Sequence, residues 1–146
     1  MPIMRFATRA IRVAQNPDKE HRAVTYPIYQ TTTFAWDQMD EEPGVAYTRV
    51  NNPNRNILEE VIAALEGGRH ATVFGSGMAA VVAGFSVLQQ GDHVVMASDL
   101  YGGTTRYITD ILPRSGITWD LFDSCQPESL EAVLRPNTKM VVFEGP

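Results

Sequence analysis

The stretch Gly75-Ser76-Gly77 has the residue types and the setting of a phosphate-binding turn. It follows a short apolar run, residues 71–74, and precedes a segment of small and apolar residues that begins at Met78. At a helix N-terminus the first N–H groups lack partners and the dipole is positive, so an anion is stabilised there, and glycine lets it approach closely. Ser76 can cap the helix or donate its hydroxyl to a phosphate oxygen. The sequence therefore predicts an anion site, with a plain helix cap as the alternative.

The same stretch also fits a dinucleotide-binding pattern. Gly75-x-Gly77-x-x-Ala80 matches the G-x-G-x-x-G/A fingerprint, and Asp99 follows at about the distance of the acid that binds ribose. That fingerprint normally opens the first strand–helix–strand unit, whereas here a long segment precedes it. From these residues alone, an NAD-type domain stays open as an alternative.

Tyr47 and Arg49 stand two positions apart in a segment that reads as extended. Side chains two apart on a strand project to the same side, and arginine is the better bidentate partner for phosphate. The alternative is a surface tyrosine beside a solvated arginine.

Tyr101 follows the apolar run 93–97 and precedes Gly102-Gly103. This position is the carboxyl edge of a parallel sheet, where α/β proteins bind ligands. An aromatic ring there can stack on a planar cofactor, and helix-entry packing is the alternative.

The elements that must position these residues alternate from residue 54 onward. Continuous apolar strands need cover on both faces, so the pattern predicts an α/β fold with a mostly parallel sheet between helix layers. Because the chain stops directly after a strand, we expect the front part of a larger α/β protein. The predicted elements are a helix capped by Asn54 or Asn56 and ended by Gly67-Gly68, strand 71–74, helix 77–90, strand 93–97, helix 104–112, strand 117–122, helix 127–134 and strand 140–143.

The first third of the chain has less regular structure. Residues 17–56 read as irregular, with an isolated β-prone run at 30–34, which indicates either a functional loop or an arm lying on another surface. Residues 1–16 carry three arginines and no acid, a composition that fits a short surface helix or a transit peptide. The absence of serine enrichment favours the helix.

Composition excludes several classes of function. The formal net charge of −5 and the lack of a basic patch argue against nucleic-acid binding. One cysteine, Cys125, and three scattered histidines provide no disulfide framework and no metal-ligand spacing. No apolar run reaches the ~18 residues of a membrane-spanning helix. We expect a cytoplasmic protein with no metal.

Six motifs together resemble the Cys/Met-metabolism enzymes that use pyridoxal phosphate (PLP), the transsulfuration family, over residues 6–146. They occur in the family's order: YPIYQTTTF, YTRVNNPNR, LEEVIAALEGG, FGSGMAA, GDHVVMASDLYGGTTR and VVFEGP. The resemblance implies the N-terminal portion of a PLP-dependent fold-type I enzyme, a homodimer or homotetramer with its active site shared across subunits. It further implies an arm, residues 1–56, that contacts the neighbouring subunit, and the first part of the PLP-binding domain, residues 57–146.

The resemblance also implies roles for the residues singled out above. The backbone N–H groups of Gly77 and Met78 would bind the PLP phosphate beside Ser76. Tyr47 and Arg49 would reach the phosphate of the neighbouring subunit's cofactor. Tyr101 would stack on the pyridine ring and take part in catalysis. Arg106 would hold the distal carboxylate of the substrate. Tyr47 and Tyr101 would also contact the substrate.

Departures from the family pattern affect the choice among its members. Gly103 stands where methionine γ-lyases usually carry cysteine, which favours a cystathionine γ-synthase or γ-lyase type. Val50-Asn51 replaces the usual residues of its motif, which we expect to alter contacts near the substrate. O-acetylhomoserine sulfhydrylase, methionine γ-lyase and cystathionine β-lyase remain alternatives, each acting on a sulfur amino acid or a homoserine ester.

The lysine that binds PLP covalently is not identified in these residues. The chain contains Lys19, in the N-terminal loop, and Lys139, which leads into the last predicted strand. Neither stands in the family's lysine motif, so we expect residues 1–146 alone to be inactive.

Overall fold

The computed structural model describes residues 4–39, 41 and 44–145, which divide into two units, Met1–Val73 and Phe74–Pro146. The first unit contains helix α1, Phe6–Arg12, and helix α2, Pro53–Glu66. The second contains three strands and three helices. No helix of the described ranges has both the length and the apolar character that a membrane crossing requires.

Helix α2 begins earlier than the sequence predicts. Its N-cap is Asn52, whose side chain accepts the N–H of Asn54 at 2.9 Å, and Pro53 occupies the first helical position. The predicted caps, Asn54 and Asn56, are wrong because proline's fixed φ and missing N–H suit the first turn of a helix. The helix ends at Gly67, whose φ of 68° is the left-handed conformation that glycine adopts without strain.

The segment between the two helices of the first unit has few regular elements but is held by specific hydrogen bonds. Thr33 and Tyr47 form an isolated antiparallel bridge, so the β-prone run at 30–34 has a partner after all. Asn54 accepts the N–H of Tyr29 at 2.8 Å and donates to the carbonyl of Pro27 at 2.8 Å. These bonds attach the segment to the start of α2.

The second unit confirms the predicted α/β class with a parallel sheet. Strand β1 lies in the centre and pairs in parallel with β2 on one side and β3 on the other. All five β1 residues are buried, as expected for a strand covered on both faces. The elements in order are α3 Gly77–Phe85, β1 His93–Ala97, α4 Gly102–Arg106, β2 Thr118–Phe122, α5 Glu128–Val133 and β3 Thr138–Val142.

Alternate residues of β1 face two different cores. Val94 and Met96 pack with Phe85 at the end of α3 and with residues 108 and 112 beyond α4. Val95 and Ala97 pack on the opposite face with Phe122, and α5 covers that cluster. This alternation follows from the two-residue period of a strand, and it places helices on both faces of the sheet.

Polar side chains join the three strands near the amino end of β1. His93, fully buried at the start of β1, has Nδ1 2.8 Å from Thr138 Oγ1 of β3 and Nε2 3.2 Å from Asp120 Oδ2 of β2. Arg135 forms an ion pair with the same Asp120 carboxylate. Tyr101 and Glu144 follow the opposite, carboxyl ends of β1 and β3.

The predicted strand at 71–74 is wrong, and helix α3 is shorter than predicted. Residues 71–74 form no strand, because they pair with no strand of the described residues and a strand needs a ladder partner. Helix α3 ends at Phe85 rather than at residue 90. The hydroxyl of Ser86 bonds back to the carbonyl of Ala83 at 2.6 Å and competes with continuation of the helix.

The helix predicted over residues 104–112 is three short pieces. Helix α4 starts at Gly102, a π-helical turn follows at Tyr107–Ile111, and a 3-10 turn spans Leu112–Ser115. Pro113 has no N–H to donate to the preceding turn, so a regular α-helix cannot continue through it.

Candidate functional site

The N-terminus of α3 has the geometry of an anion-binding turn. Ser76 is the N-cap, and its Oγ accepts the N–H of Ala79 at 3.2 Å. The helix supplies no acceptor for the N–H groups of its first two residues, Gly77 and Met78, and no other described residue takes them. While Ser76 Oγ accepts from Ala79, its own hydroxyl hydrogen remains able to donate. Three donors therefore point out of this helix end.

A cavity of about 460 Å³ opens at this helix end, at the carboxyl edge of the sheet. Residues from α3, from the turn before and within α4, and from the segment after β3 line it. They are Ser76, Gly77, Met78, Val81, Tyr101, Thr104 and Glu144. The structure thus brings together four of the predicted residues, Ser76, Gly77, Met78 and Tyr101. The volume lies within the range of small-molecule and cofactor sites.

Tyr101 is the exposed aromatic of this cavity, with 64% of its surface accessible. It is the N-cap residue of α4, and its ring lies over Gly103. A β-carbon built at Gly103 would stand 2.5 Å from Tyr101 Cε1 and 2.9 Å from Met78 Sδ. Glycine at 103 is therefore what lets the ring and the methionine sulfur occupy this space.

Reasoning from the sequence missed three residues of the cavity, Val81, Thr104 and Glu144, of which the last two are polar. Glu144, just after β3, accepts the N–H of Tyr101 at 2.9 Å and the hydroxyl of Thr104 at 3.4 Å. Glu144 stands in the motif VVFEGP, at the end of a predicted parallel strand. That placement at the carboxyl edge is the signal that could have identified it.

Tyr47 and Arg49 lie together, but in a different conformation from the one predicted. Residues 47–50 form a turn rather than an extended strand, since the N–H groups of Val50 and Asn51 both bond to the carbonyl of Tyr47. The guanidinium carbon of Arg49 is 5.1 Å from the centroid of the Tyr47 ring, within the range of a cation–π interaction. Both residues belong to the first unit.

The other charged candidates of the second unit lie outside the cavity lining. Arg106 is the exposed last residue of α4 and donates from Nε to the carbonyl of Gly102 at 3.4 Å. Asp99, the acid of the dinucleotide pattern, accepts from Ser124 Oγ at 3.0 Å. Lys139 stands near the amino end of β3, where a register shift interrupts the pairing with β1, so it is remote from the carboxyl edge.

Across residues 4–39, 41 and 44–145, no three His, Cys, Asp or Glu side chains gather closely enough to hold a metal ion. The donors at the cavity are backbone N–H groups and hydroxyls, which suit an oxyanion such as phosphate. An exposed aromatic plane beside a phosphate-binding turn suits a phosphorylated ring compound.

Comparison with known proteins identifies relatives along nearly the whole chain. The family described as Cys/Met metabolism PLP-dependent enzyme matches residues 7–146. A probable cystathionine gamma-synthase of Herpetosiphon aurantiacus is 40% identical over 97% of this chain. A putative cystathionine gamma-lyase of Caenorhabditis elegans is 42% identical over 97%.

A solved structure agrees with the sequence comparison. The crystal structure of metB from Corynebacterium glutamicum superposes on 94% of this chain with a TM-score of 0.90 and 38% identity. The chain spans 36% of that structure, 44% of the Herpetosiphon relative and 36% of the Caenorhabditis relative.

Proposed function

The chain belongs to the family of Cys/Met metabolism enzymes that depend on pyridoxal phosphate, and from that membership we propose that the complete protein binds PLP and acts in transsulfuration. The proposed reaction is γ-elimination or γ-replacement on cystathionine or O-acyl-homoserine. The observation that carries the proposal is the cavity where an open helix N-terminus, a serine hydroxyl and an exposed tyrosine ring meet.

The residues of this cavity fit the cofactor. The N–H groups of Gly77 and Met78 and the hydroxyl of Ser76 suit the PLP phosphate, because all three donors lie at the start of one helix. The Tyr101 ring provides an aromatic face for the pyridine ring. When bound, PLP withdraws electrons from the substrate carbon next to the amino group, and the protein supplies binding and orientation.

Tyr101 is the proposed catalytic residue of this chain. Its phenol can donate or accept a hydrogen bond and can transfer a proton at its oxygen. Its exposure leaves this group accessible to a substrate that enters the cavity.

Tyr47 and Arg49 are proposed to bind the phosphate of the neighbouring subunit's cofactor. Their proximity supports the proposal, since a phenol and a guanidinium at one turn provide two kinds of donor to one phosphate. Arg106 is proposed to bind the distal carboxylate of the substrate, with Tyr47 and Tyr101 contacting the substrate as well. The exposed guanidinium of Arg106 is consistent with that role.

The substrate is proposed to be cystathionine or a homoserine ester, as in a γ-synthase or γ-lyase. The names of the two relatives support this class. Gly103 supports it too, because a cysteine side chain there would displace the Tyr101 ring. Cystathionine β-lyase, O-acetylhomoserine sulfhydrylase and methionine γ-lyase activities are the related alternatives.

The dinucleotide alternative is not favoured. Its fingerprint requires a strand before the glycines, and residues 71–74 belong to no ladder. Its acid, Asp99, is hydrogen-bonded to Ser124. We further propose a cytoplasmic homodimer or homotetramer in which the arm of residues 1–56 contacts the neighbouring subunit.

Purifying the complete protein and assaying it with PLP tests the proposal. Cystathionine, O-acyl-homoserine with a thiol, and methionine are supplied separately, and the keto acid or thioether products are measured. Turnover of cystathionine or O-acyl-homoserine is the expected result. A protein that binds NAD, takes up no PLP and processes none of these substrates would refute it.

A further inference from the structure

Glu144 links the segment after β3 to the start of α4. Its Oε2 accepts the backbone N–H of Tyr101 at 2.9 Å, and its Oε1 accepts the Thr104 hydroxyl at 3.4 Å. The two contacts lie one helical turn apart on the same short helix. A single carboxylate therefore attaches both the N-cap residue and the first turn of α4 to the sheet.

Helix α4 depends on such an attachment. It spans only Gly102–Arg106 and begins with two glycines, which disfavour a helix. Tyr101 forms no side-chain cap of its own. Thr104, by contrast, is 98% buried, so the far end of the attachment is firmly packed. The backbone of Tyr101 is therefore held from both sides, since its carbonyl accepts the N–H of Thr105 at 3.0 Å and its own N–H donates to Glu144.

We propose that Glu144 is a positioning residue for Tyr101, holding its ring across the opening of the phosphate-binding turn at Ser76–Met78. This inference rests on the proposed function, because it assigns Glu144 an effect on PLP through the tyrosine that stacks on it. The effect on PLP binding comes from the Glu144 oxygen that accepts the Tyr101 N–H, and not from the negative charge of the carboxylate. Glutamine should therefore replace Glu144 with little loss, whereas alanine should not.

The test measures the PLP dissociation constant of the complete protein by titration, following the visible absorbance of the bound cofactor. We expect Glu144→Ala to weaken PLP binding by up to about tenfold, as expected for loss of one hydrogen bond. Glu144→Gln should stay within about twofold of the wild type, because its amide oxygen still accepts from Tyr101. Glu131→Ala, at an exposed glutamate of α5 in the same unit, is the matched control and should change nothing.

A double-mutant cycle separates positioning from general structural support. If Glu144 acts through the Tyr101 ring, Glu144→Ala should have little effect in a Tyr101→Ala background. A merely structural role would give the same loss in both backgrounds. Hydrogen exchange at the Tyr101 amide, measured without PLP, should rise in Glu144→Ala and not in Glu144→Gln.

The outcomes distinguish this inference from the proposed function. Wild-type protein that fails to bind PLP refutes the proposed function and this inference with it. PLP binding that is unchanged in Glu144→Ala, or equally weakened in both backgrounds, overturns the inference alone, as does Glu144→Gln behaving like alanine. If Glu144→Ala does not fold, Glu144→Asp, which withdraws the carboxylate by one methylene, takes its place in the cycle.

Discussion

Gly103 lies beneath the Tyr101 ring, and the position that a β-carbon of residue 103 would take is already filled by this ring and the Met78 sulfur. We expect Gly103→Ala to fold, because the atoms it meets are the ends of flexible side chains, Tyr101 Cε1 at 2.5 Å and Met78 Sδ at 2.9 Å. The ring must then turn away from its present position. PLP affinity should fall by about 0.5–1.5 kcal/mol, the worth of an aromatic contact.

Gly102 provides the control for this substitution. A β-carbon at Gly102 meets nothing within 4 Å, and alanine favours a helix over glycine by about 0.5–1 kcal/mol. Gly102→Ala should therefore keep or improve stability and leave PLP affinity unchanged. Equal PLP affinities for the two alanine variants would contradict the assigned ring position.

Residue types in the sequence predict the N-cap of α3 correctly and the N-cap of α2 wrongly. Ser76 as an N-cap follows from its place before a helical pattern, and the structure bears this out. The pairing of Tyr47 with Arg49 was predicted for the wrong reason, because the turn at 47–50 depends on hydrogen bonds that spacing does not reveal. Glu144 was missed because its partners lie about 40 positions away, and only the fold brings them together.

In helix α3, the Ser76 side chain caps the helix through its oxygen and is proposed to donate its hydroxyl hydrogen to the phosphate. Substitutions can separate these two effects. Ser76→Ala removes the cap and should lower the free energy of unfolding by about 1 kcal/mol, whereas Ser76→Gly should cost only a few tenths. Both variants lose the hydroxyl, so both should weaken PLP binding by a similar amount, about 1.5–3 kcal/mol, as for loss of a hydrogen bond to a charged group.

Chemical denaturation of the complete protein without PLP measures the first effect, and cofactor titration measures the second. If both variants bind PLP as tightly as the wild type, Ser76 is a helix cap and not a phosphate ligand. If Ser76→Gly unfolds as readily as Ser76→Ala, the capping interpretation is wrong.

Element prediction succeeded where the pattern is local. The strands at 93–97, 117–122 and 140–143 were predicted within two residues, because each is an apolar run that the sheet buries or half-buries. The run at 71–74 looks the same in sequence but is not a strand, since a strand also requires a neighbour. The π-helical turn before Pro113 was missed because no local pattern distinguishes it from an α-helix.

At the scale of the whole molecule, the α/β class with a parallel sheet was predictable because alternation of strands and helices permits few topologies. Alternation of strands and helices does not predict contacts between subunits. The proposed contact is that of Arg49 with the phosphate of the neighbouring subunit's cofactor. We expect Arg49→Ala in the complete protein to weaken PLP binding by about 1.5–3 kcal/mol, as for loss of a charged hydrogen bond. Arg49→Lys should fall in between, because it keeps the charge and loses the bidentate geometry.

Mixing subunits tests whether Arg49 serves a neighbouring site. Oligomers assembled from Arg49→Ala and Tyr101→Ala subunits contain some sites in which both residues are intact, if the two come from different chains. PLP binding should then recover partly. Absence of recovery would place Arg49 in the same subunit's site or in none. Arg69→Ala, at an exposed arginine after α2 and outside the arm, is the control and should bind PLP normally.

The helix start at Ser76, Gly77 and Met78 is the proposed binding site for the cofactor phosphate. The most direct test compares the affinity of the complete protein for pyridoxal phosphate with that for pyridoxal, which lacks the phosphate, under the same conditions. We expect tight binding of the phosphorylated compound. Binding of pyridoxal should be weaker by at least the contribution of two charged hydrogen bonds, on the order of 3 kcal/mol. Equal affinity for the two compounds would contradict it.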